Sequence, residues 1–496
     1  MNSLKKITLA VALGATMLTG CDKIKDFGDT NVNPNATTVP NTAALLTNVL
    51  AGVSTRASQA TPGYYCQYFA ETQYPTNSLY AIPQFDFDGV YAGAMFDLQN
   101  IINTCNNPQT TASAAANGSL KNQIAIATIL RSYYYWTITD AWGDIPYSEA
   151  LSIVNRFPKY DEQEQVYRGV ITELTNILDQ FDNGAAIRGD IAYNGNIDRW
   201  KKLANSLRML MSLRMSKRFP NAGEYAAQQF SAALAHPAGH ISSNDDNFGI
   251  TYPGGNYRSP WFATYDARDD LGESLPMVTR LLGLADRRQI DRVYGSSDNG
   301  VPYGRDRQSF MNAWFNSNGT TYAKVLGNAF RADNARVNII HAAAVLFARA
   351  EARERGWSNA VETQTAEQLY YAGITASYTQ WGLTAAQAAT YAAGSAVVYG
   401  GDNLTKIALQ RYIALYPDGL QGWSEWRRTG VPSLTPAQDA LNVTKAIPRR
   451  YVYGVNDYST NLQNVQAAAA RIPIPTPTPA GAQAGDTQDG RVWWDR

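Results

Sequence analysis

Apolar residues recur every three or four positions in stretch after stretch of this chain, and that period commits much of it to amphipathic helices. Behind Asp161, which reads as an N-cap with Glu164 three residues on, they stand at Val166, Val170, Leu174, Ile177 and Phe181. From Asp198 the series is Trp200, Leu203, Leu207, Leu210 and Met211. Ile124, Ala127, Leu130 and Tyr134 mark a helix that ends near Gly143. Val337, Ile340, Ala344 and Phe347 mark another, and residues 403–416 a further one. Paired amphipathic helices with short links predict a mostly α, solenoid-like scaffold, although no strict repeat consensus is visible. Two long irregular stretches, 220–335 and 417–496, interrupt it with many Gly, Pro, Asn, Trp and Tyr residues. Loops of that length are usually functional when they are not disordered, and their aromatic content argues against disorder. Residues 472–490 (IPIPTPTPAGAQAGDTQDG) read as an extended surface segment.

The first residues, MNSLKKITLAVALGATMLTGC, place Lys5 and Lys6 before an apolar run from Ile7 to Leu18. That run is too short to span a bilayer and suits a signal-peptide core. Leu18-Thr19-Gly20-Cys21 is similar to a bacterial lipobox, in which the cysteine is acylated and becomes the new N-terminus. The expected organisation is therefore a signal peptide over 1–20, lipidated Cys21 with a polar tether to residue 40, and one helical domain over 41–496. No later apolar run is long enough to span, so the mature chain is expected to be anchored by its lipid. Cys66 and Cys105 remain; two thiols are no disulfide scaffold, and free buried cysteines are favoured over a bridge.

Lys plus Arg and Asp plus Glu are 42 each, so the chain lacks the positive field of a nucleic-acid binder. Aromatics are abundant, with 30 Tyr, 15 Phe and 11 Trp, more than a core obviously needs. Catalytic motifs are missing from the sequence: no HExxH, CxxC, GxSxG, Walker or GxGxxG pattern occurs. His236 and His240 flank Pro237 and Gly239 and so belong to a turn, while His341 reads as a packed histidine within a helical run. The pairs Asp86/Asp88, Asp245/Asp246 and Asp269/Asp270 read as surface acids before they read as a glycosidase dyad. Asp86-Phe87-Asp88-Gly89 resembles part of a calcium loop whose other ligands are missing, so calcium is left unsupported and no cofactor is expected.

Seven segments, in order, carry a family resemblance. They are DTNVNPNATT after the lipobox, LRSYYYWTITDAWGDIPYSEAL (130–151), NIDRWKKLANSLRMLMSLRMSK (196–217), LFARAEARERGW (346–357), LQRYIALYPDGLQGWSEWRRTGVPSL (409–434), IPRRYVYGVND (447–457) and VWWD (492–495). Together the chain resembles the SusD/RagB-like outer-membrane lipoproteins, in particular their second large subgroup. The resemblance implies tetratricopeptide-like helix pairs with loops forming a binding face. It also implies a cell-surface protein that captures glycans, or in some members peptides, and passes them without catalysis to a SusC-like TonB-dependent β-barrel transporter. Most of the shared Trp, Arg and Asp residues read as framework: Gly143 and Pro146 end a helix, Asp144 accepts backbone N–H groups, and Trp423, Trp426, Arg427 and Arg428 suit cation–π stacking and carboxylate pairing.

Sugar recognition uses flat rings against apolar sugar faces and polar groups for hydroxyls. The resemblance points to the loop after the first helices and the variable middle, here 71–88 and 252–270 with 303–316 behind. The candidate platforms are Tyr74, Tyr80, Trp261, Tyr265 and Trp314; Asn256, Arg268 and Asp269 are the candidate hydroxyl partners. Zero net charge fits an uncharged nutrient. A peptide ligand, a lipid-anchored hydrolase and a ligand-free scaffold stay open as alternatives.

Overall fold

Residues 39–81, 84–473 and 485–496 are described by a computed structural model; the expected signal peptide, Cys21 and most of the tether lie outside the described residues. The long helices are α1 (Thr42–Ala57), α2 (Phe96–Asn106), α3 (Leu120–Trp142), α4 (Gln163–Leu178), α5 (Ile197–Arg214), α6 (Tyr225–Ala235), α7 (Ala342–Glu354), α8 (Ala366–Thr379), α9 (Asn403–Leu415) and α10 (Gly419–Thr429). Each packs chiefly on its neighbours in this series: α1 on α2, α2 on α3, α3 on α4, α4 on α5, α5 on α6, then α7 on α8 and α9, and α9 on α10. That is the tetratricopeptide-like arrangement, in which each amphipathic helix buries its stripe against the next. From Thr42 to Arg496 the chain forms one compact unit.

Helix α3 is the axis. Residues Ser132–Trp142 are all buried, so it is apolar nearly all round and packs against α2, α4 and α5. Its start is capped by Ser119 Oγ, which accepts the Asn122 N–H at 3.3 Å, and it stops at Gly143, whose φ of +96° few other residues adopt.

Around this axis lies a buried lattice of charge. Arg428 on α10 donates to Glu351 of α7 and to Glu425 of its own helix, each at 2.6 Å. Arg411 of α9 stands 3.3 Å from Glu425, and Arg214 of α5 stands 3.4 Å from Asp140 of α3. The Arg427 guanidinium lies 3.7 Å from the Trp423 ring centroid and 4.7 Å from that of Trp494. Burial alone would raise the Glu351 carboxyl, but the charge and hydrogen bonds of Arg428 outweigh it and hold the group below the usual carboxylate range.

Strands are few. Three two-stranded antiparallel ribbons pair β1 (Phe69–Glu71) with β5 (Leu271–Glu273), β2 (Ile145–Pro146) with β3 (Tyr160–Asp161), and β4 (Phe248–Thr251) with β6 (Arg336–Ile340). The last ribbon corrects one expectation: Val337 and Ile340 belong to a strand, and the helix begins only at Ala342. His341 is accordingly the buried N-cap of α7, with Nδ1 accepting the Ala344 N–H at 3.3 Å. Asp161 is no cap either. It sits in β3, and its carboxylate accepts the N–H groups of Tyr147 and Ser148, at 3.2 and 2.7 Å, while Glu162 precedes α4. Asp144 accepts a backbone N–H as expected, but from Gln163 at the start of α4, at 3.0 Å. The stretch 220–335 is less irregular than expected, since it holds α6 and a helix at Leu275–Gly283. Cys66 and Cys105 are free and buried.

Two outcomes follow from the buried charges. Arg428→Met strands Glu351 and Glu425 away from water, and should cost roughly 3–5 kcal/mol in urea unfolding; a loss below about 1 kcal/mol would show that the pairing is dispensable. Asp418, the buried N-cap of α10, has its carboxyl pushed up to about 7 by burial. Between about pH 4 and 7 the folded chain therefore keeps a proton that the unfolded chain loses, and this group lowers stability as pH rises. Asp418→Asn keeps a cap acceptor, so its unfolding free energy should fall less steeply over that range; parallel pH profiles would contradict it.

Candidate functional site

The site is built where the β1–β5 ribbon meets the chain from 301 to 322. Ala70, Val301, Met311 and Tyr322 form a small apolar cluster of their own, on which Tyr303, Phe310, Trp314 and Phe315 pack half-buried. Gly272 permits the contact: a Cβ there would lie 2.3 Å from Val301 Cγ2. Above the cluster, Asp306 Oδ1 accepts the N–H groups of Gln308 and Ser309, at 2.9 and 3.0 Å. That cap starts a π-turn (Arg307–Met311) leading into a short helix, Asn312–Asn318, which ends at Gly319. The rings of Trp314 and Phe315 meet edge to face, 5.2 Å between centroids.

Two recesses open at this helix. The larger, about 800 Å³, has Tyr303, Phe310 and Trp314 on its wall, with Gln67, Arg280, Arg305, Thr435 and Gln438 among its polar lining. The smaller, about 460 Å³, is lined by Gln73, Asp269, Arg307, Phe315 and Tyr322. Both volumes suit a ligand. By contrast, the enclosed void beside Trp261, about 20 Å³, has room for one water and no more.

A hydroxyl relay fixes the larger recess from beneath. Ala437 N–H donates to Tyr80 Oη at 2.9 Å, Tyr80 donates to Tyr303 Oη at 2.9 Å, and Tyr303 donates to the Tyr64 carbonyl at 2.7 Å. Burial pushes the Tyr80 phenol up to about 12, so it stays protonated and able to donate. Gly304, at φ +68°, lets the turn press against Ala437, where a Cβ would come within 2.5 Å of the Ala437 Cα. Arg305 lies 4.2 Å from the Phe310 centroid and pairs with Asp439 at 3.1 Å. Asp269 pairs with Lys324, and its carbonyl accepts the hydroxyls of Thr72 and Tyr322. Arg307 donates to the Gln73 carbonyl, joining the 72–80 loop to the π-turn.

The residues expected from sequence divide accordingly. Trp314 lines the larger recess and Asp269 the smaller one. Tyr74, 58% exposed, adjoins Gln73, and exposed Arg268 adjoins Asp269 while pairing with Asp270. Three platforms need correction. Tyr80 is buried under the groove as part of the relay, and Trp261 is buried edge to face against Phe69, 5.7 Å away, so neither presents a ring face to a ligand. Tyr265 spends its hydroxyl on the Leu271 carbonyl and the Val325 N–H, at 2.9 and 2.8 Å, and braces the loop. Asn256 sits exposed at a separate hairpin tip, between Gly254 and Tyr257, and lines neither recess. Sequence reasoning named the 303–316 segment but missed Tyr303, Phe310 and Phe315 within it, although three rings at 310, 314 and 315 among polar residues were a signal. Arg280 and the 433–438 segment carried none.

Compared with known proteins, residues 34–454 match the model of a family, SusD-like_2, described as starch-binding and associating with the outer membrane. The chain belongs to this SusD-like family. No curated protein matches it. Among solved structures, it is similar to a chitin-binding SusD homolog from Flavobacterium johnsoniae, with 23% identity, 92% of this chain and 98% of that one covered, and a TM-score of 0.73. A SusD homolog from Bacteroides uniformis gives the same four figures: 23%, 92%, 98% and 0.73. One from Bacteroides fragilis gives 19% identity, 92% and 100% coverage, and a TM-score of 0.75. These likenesses establish the SusD-like fold. The segments that carried the resemblance serve that framework: Trp142, Trp423 and Trp494 donate their indole N–H groups to the Phe85 carbonyl, the Pro448 carbonyl and Asp140, at 3.1, 2.8 and 2.8 Å.

The relay predicts that Tyr80→Phe leaves the Ala437 N–H without its buried acceptor. The expected loss is about 1–3 kcal/mol in chemical denaturation, with the helical circular dichroism kept. An unchanged unfolding midpoint would remove the relay from the account.

Proposed function

We propose that this chain is a lipid-anchored, cell-surface glycan-binding protein that captures oligosaccharide or polysaccharide and delivers it, unreacted, to a SusC-like TonB-dependent transporter. The observation that carries this reading is the open groove walled by Tyr303, Phe310 and Trp314, with Phe315 continuing into the second recess. Half-buried rings seated on their own apolar cluster offer flat faces to sugar rings without collapsing inward. The family description as starch-binding and outer-membrane-associating, and the chitin-binding name of one structural neighbour, support a glycan before a peptide. Asp269 is the one carboxylate lining the two recesses among the described residues, and Lys324 already pairs with it; glycoside hydrolysis needs two. Among the described residues no helix is long and apolar enough to cross a membrane; the lipobox-like Leu18-Thr19-Gly20-Cys21 supports attachment through Cys21.

Trp314→Ala should weaken binding to whichever member of a soluble polysaccharide panel the native chain retains, by roughly 1–2 kcal/mol or about tenfold, read by affinity electrophoresis and calorimetry. Unchanged affinity would displace the site from this groove. Binding of peptides with no response to any glycan would favour the peptide-scavenging alternative. Gentle solubilisation of the outer membrane should recover the chain with a large β-barrel; recovery of free monomer alone would count against delivery to a transporter.

A further inference from the structure

We propose that the glycan held in this groove is anionic, a chain bearing carboxylates of the uronic acid kind. The inference rests on the groove being the glycan site and specifies what it selects.

The charged side chains lining the larger recess are Arg280 and Arg305, and no carboxylate lines it. In the smaller recess stand Arg307 and Asp269, the latter already paired with Lys324. Arg305 has a partner in Asp439, whose same oxygen also accepts the Asp306 N–H at 2.7 Å. Arg280 and Arg307 have none: among the described residues no carboxylate lies within 4.0 Å of either guanidinium. Arg280 makes one long hydrogen bond, 3.5 Å to the Pro276 carbonyl, and lies 5.9 Å from the Tyr412 ring centroid, while Arg307 donates to the Gln73 carbonyl. Each guanidinium carries five N–H donors and no acceptor, so most of this capacity is left without a protein acceptor among the described residues.

Chemistry then discriminates between ligands. A neutral sugar hydroxyl both donates and accepts, a need that uncharged lining such as Gln67, Thr435 and Gln438 already meets without any cation. In the larger recess the charged groups supply donors only, and in the smaller one the acceptor Asp269 is already paired with Lys324. A carboxylate is the reverse, an acceptor with two oxygens spaced to match the guanidinium fork, and charge-assisted pairs of this kind are roughly twice as strong as neutral ones. With Arg280 in the recess walled by Trp314 and Arg307 in the one walled by Phe315, each recess joins a ring to a cation that has no carboxylate partner among the described residues. A polyuronide repeats that pair of features along its length, a flat sugar face and a carboxylate on every unit. The neutral composition of the whole chain does not oppose this, because salt screens charges beyond about 8 Å and the ligand meets only the local field.

The test uses the full-length protein in detergent and matched ligands: oligogalacturonate, oligomannuronate and hyaluronan oligosaccharides, each beside its own carboxyl-reduced, neutral counterpart. At least one acidic member should bind about tenfold or more tightly than its reduced form, a gap of about 1.4 kcal/mol, and the gap should narrow as salt is raised. Arg280→Gln and Arg307→Gln should each shrink that preference several-fold, with melting temperatures reporting that the fold is kept. Equal or tighter binding of the reduced forms, lost in Trp314→Ala, would overturn the anionic ligand and leave the glycan groove standing. Binding of poly-glutamate with no response to any saccharide would overturn both.

Discussion

Arg428 is the residue on which the architecture turns. It sits almost fully buried between Glu351 and Glu425, and so ties α10 to α7; Arg411 brings α9 to the second of these carboxylates. Arg214 extends the lattice to α3 and also donates to Gln421 at 2.6 Å. Removing this many charges from water costs about as much as their attraction returns, so the lattice contributes little net stability against an apolar substitute. What it contributes is register. Ridges of alanine and leucine can slide by a turn at small cost, whereas Arg428, which must meet two carboxylates, and Arg427, which must meet two indoles, each have one place to be. The groove inherits that precision, because α10 ends at Gly430 and the chain leaving it, residues 433–438, forms one side of the larger recess.

The recognition surface follows a different logic. Its walls come from three segments far apart in the chain: residues 67–73, residues 269–322 and residues 433–438. The β1–β5 ribbon joins the first two of these segments, and no strand reaches the third among the described residues. The third is tied in by single polar contacts, such as the tyrosine relay and the Asp439 carboxylate that receives both Arg305 and the Asp306 N–H. In the proposed reading rings supply contact area, and the arginines without a carboxylate partner supply direction and choice.

Much of the scaffold was legible in sequence, since α3, α4 and α5 each bury the stripe that a 3.6-residue period announces. The failures share a cause, which is a partner distant in the chain. Val337 and Ile340 satisfy a helical spacing, but β4, nearly ninety residues earlier, pairs with them. Asp161 has the pattern of a cap until the turn after α3 presents two N–H groups to it. At the site, Trp314 and Asp269 could be named because aromatic and acidic residues in a loop stand out. Tyr80 and Trp261 stand out equally, and no local pattern tells a ring whose faces are covered from one whose faces are free. Arg280 was invisible for the opposite reason: on the helix Leu275–Gly283 it reads as an ordinary solvated charge.

The small cluster of Ala70, Val301, Met311 and Tyr322 is separate from the main core, and Tyr303 is the one ring that packs against both. Rearrangements over 307–322 therefore have a short reach. A larger ring, a lost ring or a relocated cation there alters what is recognised without disturbing the packing of α3 or the arginine lattice. A designer wishing to reshape the groove would exchange a cassette of sixteen residues, 307–322, and leave the frame untouched.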